Sequence, residues 1–173
     1  TSATVNGNVI CGDFTIHGTT SVDSEIVPAA VNGNVTIVHG YTLAHGTTPA
    51  ALTTTASTAT IGGTNKGIVK ISGSVIDQMG AVAFTVAKAT DGTTEVGAIV
   101  GKKPATAEEG LTSTLTFDGS YSGALTSLPN FATVTVGTNN AITLNSALSV
   151  GALTVNGKLT APSVAASGTI SGT

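Results

Sequence analysis

One short stretch limits what this chain can fold into more than any other. Residues 3–9 read ATVNGNV, return as AAVNGNV at 29–35, and come back as LTVNGKL at 153–159. Asn-Gly between apolar residues is a strong hairpin signal, but the register argues against a hairpin here. A two-residue loop at Asn156-Gly157 sets Val155 opposite Lys158, Thr154 opposite Leu159 and Leu153 opposite Thr160. Cross-strand partners share a face, so every pair would mix apolar with polar. Extended through the Asn-Gly, the same residues separate cleanly. Leu153, Val155, Gly157, Leu159 and Ala161 fall on one face, and Thr154, Asn156, Lys158 and Thr160 on the other. Ala3, Val5, Gly7, Val9 and Cys11 sort in the same way. The pattern predicts a continuous half-buried strand at each copy, with the glycine as a notch where another backbone can approach.

The first two copies open a longer repeat. Residues 3–20 align with 29–48 if two residues are inserted after Val35, and both copies close on His-Gly-Thr-Thr. This reads as a duplicated strand-turn-strand unit over residues 1–48, including an N-terminal extension. An Ala/Thr tract at 49–60 reads as a linker or surface strand, and residues 61–173 as the remainder of a single β domain with a polar C-terminal tail. Alternation marks strands around Val69–Val75, Val82–Val86 and Phe131–Val136, a short apolar run marks a buried strand at Val96–Val100, and turns fall at Asp91-Gly92 and Asp118-Gly119. Residues 104–110 (PATAEEG) are the one plausible helical turn. The predicted fold is a single all-β domain, a β-sandwich of jelly-roll or Ig-like type, with a β-solenoid as the alternative.

Composition narrows the function. Charged residues make up 9% of the chain, the net charge is -3 and no basic cluster occurs, which removes the electrostatic footprint of nucleic-acid binding. No apolar run is long enough to span a bilayer. A first residue other than methionine and a single cysteine fit a secreted chain, at the cell surface or beyond it, with Cys11 buried, metal-bound or paired with another chain.

Candidate chemistry is sparse. Cys11, His17, His39 and His45 all lie in the repeat, where the alignment matches Cys11 with His39 and His17 with His45; converging, they would suit zinc or copper. The competing reading is a set of solvated histidines with a small buried cysteine, favoured because no closely spaced ligand pair is present. Asp13, His17 and Ser21 have the residue types of a hydrolase triad without the orienting context a triad requires. The chain is therefore expected to have no catalytic residues and no cofactor. Asp23 with Glu25, and Asp91 with Glu95, do not match a calcium loop. Asn34-Val35-Thr36 is the single glycosylation sequon.

The alternating first strand, with Gly7 on its apolar face and a Thr/Ala/Val/Gly-rich chain behind it, resembles pilin subunits that assemble by donor-strand exchange. The resemblance implies Ala3, Val5, Gly7 and Val9 as the face of a strand donated to a neighbouring subunit. It further implies a structural subunit of an extracellular filament or pilus, whose partners are identical copies. The single cysteine and the SGTISGT terminus depart from the disulfide and aromatic last strand of chaperone-usher pilins. Residues 152–172 also look like phage tail-fibre repeats. That resemblance implies the alternative function of a virion fibre or decoration, or an adhesin module that binds host glycan.

Overall fold

A computed structural model describes residues 3–20, 26–38, 41–43, 52–54, 57–63, 67–88, 92–106 and 108–173. The strands wind in successive coils. The first coil carries β1 (Ala3–Asn6), β2 (Val9–Cys11) and β3 (Phe14–Ile16), then a side ladder of β4 (Thr19–Thr20) with β5 (Ile26–Val27). The second carries β6 (Ala29–Asn32), β7 (Val35–Ile37), a second side ladder of β8 (Tyr41–Leu43) with β9 (Leu52–Thr54), and β10 (Thr58–Ile61). The third consists of β11 (Ile68–Asp77) and β12 (Ala83–Lys88), and the fourth of β13 (Thr93–Val100) and β14 (Ser113–Gly119). Next come β15 (Ser122–Leu125) with β16 (Phe131–Val136), then β17 (Ala141–Leu144) with β18 (Leu148–Val155). The last coil holds β19 (Lys158–Thr160), β20 (Val164–Ala166) and β21 (Ile170–Gly172).

Among the described residues, every ladder outside the two side ladders is parallel. The longest follows the order β3-β10-β12-β14-β16-β18-β20, with β21 also on β18, and so counts seven coils. This overturns the jelly-roll or Ig-like sandwich, which needs antiparallel neighbours. The chain stacks its coils as a β-solenoid. Period-two alternation is the same in parallel and antiparallel strands, so the sequence pattern was compatible with either.

In-register stacking builds the core as columns. On the third wall one column runs Phe14, Ala59, Phe84, Leu115, Val134, Leu153, Ile170. Its neighbour runs Ile16, Ile61, Val86, Phe117, Val136, Val155, Gly172. On the first two walls, Val5, Val31, Ile71 and Val96 form one column, and Val9, Val35, Val75 and Ile99 another. Apart from Gly172 these columns are filled by apolar side chains, and Phe84 meets Phe131 edge-on at 5.7 Å between ring centroids. Such close-packed stacking contributes most of the stability available to a chain with so few aromatics.

The Asn-Gly copies are corners between walls. The strand breaks at Gly7, Gly33 and Gly157, so the predicted continuous strand is corrected at all three. A hairpin is excluded as well, because β1 and β2 each continue into parallel ladders. Gly7 takes φ +134° with open space where a side chain would stand, so it is a bend and not a packing notch. Gly33 and Gly157 are the tight positions, since a Cβ would meet the backbone of Gly7 at the first and of Gly137 and Asn140 at the second. The flanking asparagines tie coil to coil: Asn32 Nδ2 donates to Asn6 Oδ1 (2.7 Å), the Asn34 N–H to Asn8 Oδ1 (2.9 Å), and the Ser74 N–H to Asn34 Oδ1 (2.9 Å).

Two further expectations change. No helix occurs among the described residues; residues 105–106 and 108–109 form bends, with Glu109 Oε2 accepting from the Ala105 N–H at 2.8 Å. In the repeat, Phe14–Ile16 stacks on Ala59–Ile61 and not on residues 41–43, so the insertion in the second coil is far longer than two residues.

Candidate functional site

The two outermost coils expose what every inner coil covers. Val5 stands in register with Val31, which is 2% exposed, yet Val5 itself is 48% exposed. At the other end Val164 pairs with buried Leu148 and Ile170 with buried Leu153, but they are 41% and 59% exposed. Strand partners point the same way, so these side chains face inward and are open only because no coil lies on them. Val9, Cys11, Phe14 and Ile16 at one end, and Leu159, Ala161 and Ala166 at the other, are likewise partly buried against the core. The strand edges β1, β2 and β3, and β19, β20 and β21, have a ladder partner on one side only. An edge of this kind is a template for another strand.

The residues expected to donate a strand are thus placed otherwise. Ala3 and Val5 lie in β1, paired within the chain to β6; Gly7 is the corner; Val9 begins β2, paired to β7. They lie at a free strand edge and not in an extended arm.

No family model, curated protein or solved structure matches this chain.

Of the four candidate metal ligands, Cys11 and His17 lie among the described residues. Cys11 stacks on Ile37, and His17 is exposed beyond the third wall, its Nδ1 3.4 Å from the Gly18 carbonyl. His39 and His45 lie outside the described residues, as do Ser21, Asp23, Glu25 and Asp91. Among the described residues no group of three or more His, Cys, Asp or Glu side chains is placed to hold a metal. Cys11 is a free thiol, pushed up by burial and by the Asp13 carboxylate. Asp13 itself accepts from the Thr58 N–H at 2.8 Å, a contact between coils. Asn34 is exposed at its corner, its amide oxygen engaged by Ser74. Among the described residues, no helix is long and apolar enough to cross a membrane.

A cleft of about 690 Å³ opens where the first wall divides, since β13 and β15 belong to separate sheets. Beyond the opening, the Thr126 N–H bonds to the Gly97 carbonyl at 2.8 Å and closes the gap. Lys70 and Glu95 pair across its rim at 3.4 Å, both well exposed, a contact that contributes little in water. Tyr121 lines it beside Gly123; burial, with the Glu95 carboxylate adding to it, pushes its phenol up to about 12. The hydroxyl stays protonated at any physiological pH.

The third wall presents a feature that the sequence reading passed over. Between its two inward columns, the outward position is Thr15, Thr60, Thr85, Thr116, Thr135, Thr154 and Ser171, one hydroxyl per coil, each in register with the next. The signal was present as an apolar-Thr-apolar triplet recurring at FTI, ATI, FTV, LTF, VTV and LTV. Irregular spacing between triplets hid it.

Proposed function

We propose that this chain is a structural subunit of an extracellular filament, assembled by β-strand addition between identical copies. The observation that carries the reading is the pair of open terminal coils, with inward-facing Val5 at one end and Val164 and Ile170 at the other. Their spacing matches. The second strand begins six residues after the first in the first coil (Ala3, Val9), in the second (Ala29, Val35) and in the last (Lys158, Val164). A last coil can therefore lie on the first coil of the next subunit in the register that coils already use within the chain. Residues 3–18 carry Asp13 as their one full charge and residues 158–173 carry Lys158, so the ends are opposite in sign. Head-to-tail contact of this kind is heterologous and does not close, which produces a filament. It also covers the free edges that would otherwise pair indiscriminately.

The register supplies the test. With Val164 over Val9, Ala166 lies over Cys11, and neighbouring strands stand about 4.8 Å apart, within disulfide reach. Oxidised Ala166→Cys is expected to run as a reducible ladder of multimers, abolished by Cys11→Ala. Dimers that persist without Cys11 indicate tail-to-tail contact, and an unlinked monomer indicates no end contact; either result contradicts the reading.

A further inference from the structure

We propose that the threonine-bearing third wall is an ice-binding surface. The array is two-dimensional. Beside the column from Thr15 to Ser171 runs a second outward column two residues earlier on the five inner strands: Thr58, Ala83, Thr114, Thr133 and Ala152. Over the five inner levels neither column contains a charged or aromatic side chain; at the first coil the second column ends on Asp13, whose Oδ1 accepts from the Thr58 N–H at 2.8 Å. Hydroxyls and methyls thus repeat at about 4.8 Å from coil to coil and about 6.6 Å along each strand. Hexagonal ice repeats its oxygen positions at comparable distances in two directions, so one geometry can serve many sites together.

The chemistry suits water held in order better than it suits a dissolved ligand. A threonine offers one donor and two acceptor positions beside a methyl group. Methyl groups restrict the water next to them, and the hydroxyls anchor it at fixed intervals. Thr154 Oγ1 and Ser171 Oγ lie 3.2 Å apart, showing adjacent coils at hydrogen-bonding separation. The threonines are β-branched and fixed on a regular ladder, so little rotamer freedom is lost on contact. Each contact is weak, but simultaneous engagement of the levels makes them act as one. A soluble small molecule could meet only a fraction of a face about 29 Å long, the span of seven levels. The surface lies along the side of the stack and not on its open end faces, so monomers carry it whether or not they assemble.

Ice adsorption of fluorescently labelled protein, together with inhibition of ice recrystallisation, tests the assignment. The whole chain is expected to coat ice and to arrest crystal growth, whereas Thr116→Lys, in the middle of the main column, loses at least about tenfold in effective concentration. Thr143→Lys, exposed on β17 of another wall, retains the activity. Thr116→Val keeps the shape and removes one hydroxyl, and gives a partial loss even if the lysine variant folds poorly. The proposal is overturned if the whole chain affects ice no more than serum albumin does, if Thr116→Lys with native circular dichroism is as active as the parent, or if Thr143→Lys loses as much. Adsorption to crystalline cellulose or chitin without any effect on ice also overturns it.

Discussion

Replacing Asp77 with alanine is expected to destabilise the fold by about 4 kcal/mol in a urea titration, because several donors to a buried charge lose their acceptor together. Asp77 is 2% exposed and occupies an inward position in the column below Cys11 and Ile37. A carboxylate is tolerated there because the chain leaves the wall immediately afterwards. Its Oδ1 accepts from the N–H groups of Met79 (3.0 Å) and Gly80 (2.6 Å), and its Oδ2 from the Val82 N–H (3.1 Å) and Ser113 Oγ (2.8 Å). Ser113 Oγ in turn accepts from the Lys102 N–H at 3.0 Å, so one side chain fixes a turn in the third coil and the start of β14 in the fourth. Asp77→Asn keeps one acceptor and is expected to lose roughly half as much. An alanine variant within 0.5 kcal/mol of the parent, about the effect of a neutral surface change, would show that the network does not hold the coils.

Gly73→Val is expected to cost about 3 kcal/mol or more, because the space a side chain needs is occupied by another backbone. A Cβ at Gly73 would stand 2.5 Å from the Gly33 carbonyl oxygen and also meet Asn34 Oδ1. The contact repeats along the corner: a Cβ at Gly33 would meet the Gly7 carbonyl, and one at Gly97 would stand 2.9 Å from that of Gly73. To admit valine, the third coil must lift from the second, losing the Gly73 N–H bond to Gly33 (3.2 Å) and the Ser74 N–H bond to Asn34 (2.9 Å). Gly110→Val is the matched control, with nothing within 4 Å of its added Cβ and an expected change inside about 0.5 kcal/mol. Equal melting curves for the two variants would contradict the close stacking of this corner.

Strand positions were legible in the sequence because inward and outward residues alternate whatever the strand direction. Val69, Ile71 and Val75 are buried as their pattern implies, and Gly119 turns with φ +69° at the expected Asp118-Gly119 site. Strand direction was not legible. Asn-Gly can reverse a chain or bend it, and at Gly7, Gly33 and Gly157 it bends it between walls, a choice set by the coil stacked alongside. The repeat was hidden for a related reason. Coils lengthen freely at their corners, as between Ile37 and Thr58 or between Val100 and Ser113, so sequence spacing varies while the stack stays in register. What persists is the triplet at each third-wall strand, where only apolar residues fit inside and a β-branched hydroxyl suits the outside. Residues 3–9 lie at an exposed strand edge, as the first coil of the stack and not as a free arm.

The most direct measurement is the axial rise per subunit in filaments of the native chain, read by cryo-electron microscopy. Seven coils at about 4.8 Å predict a rise of roughly 34 Å, with the strands crossing perpendicular to the filament axis. Strands running along the axis, a rise unrelated to the coil count, or a field of discrete particles at high concentration would contradict end-to-end stacking.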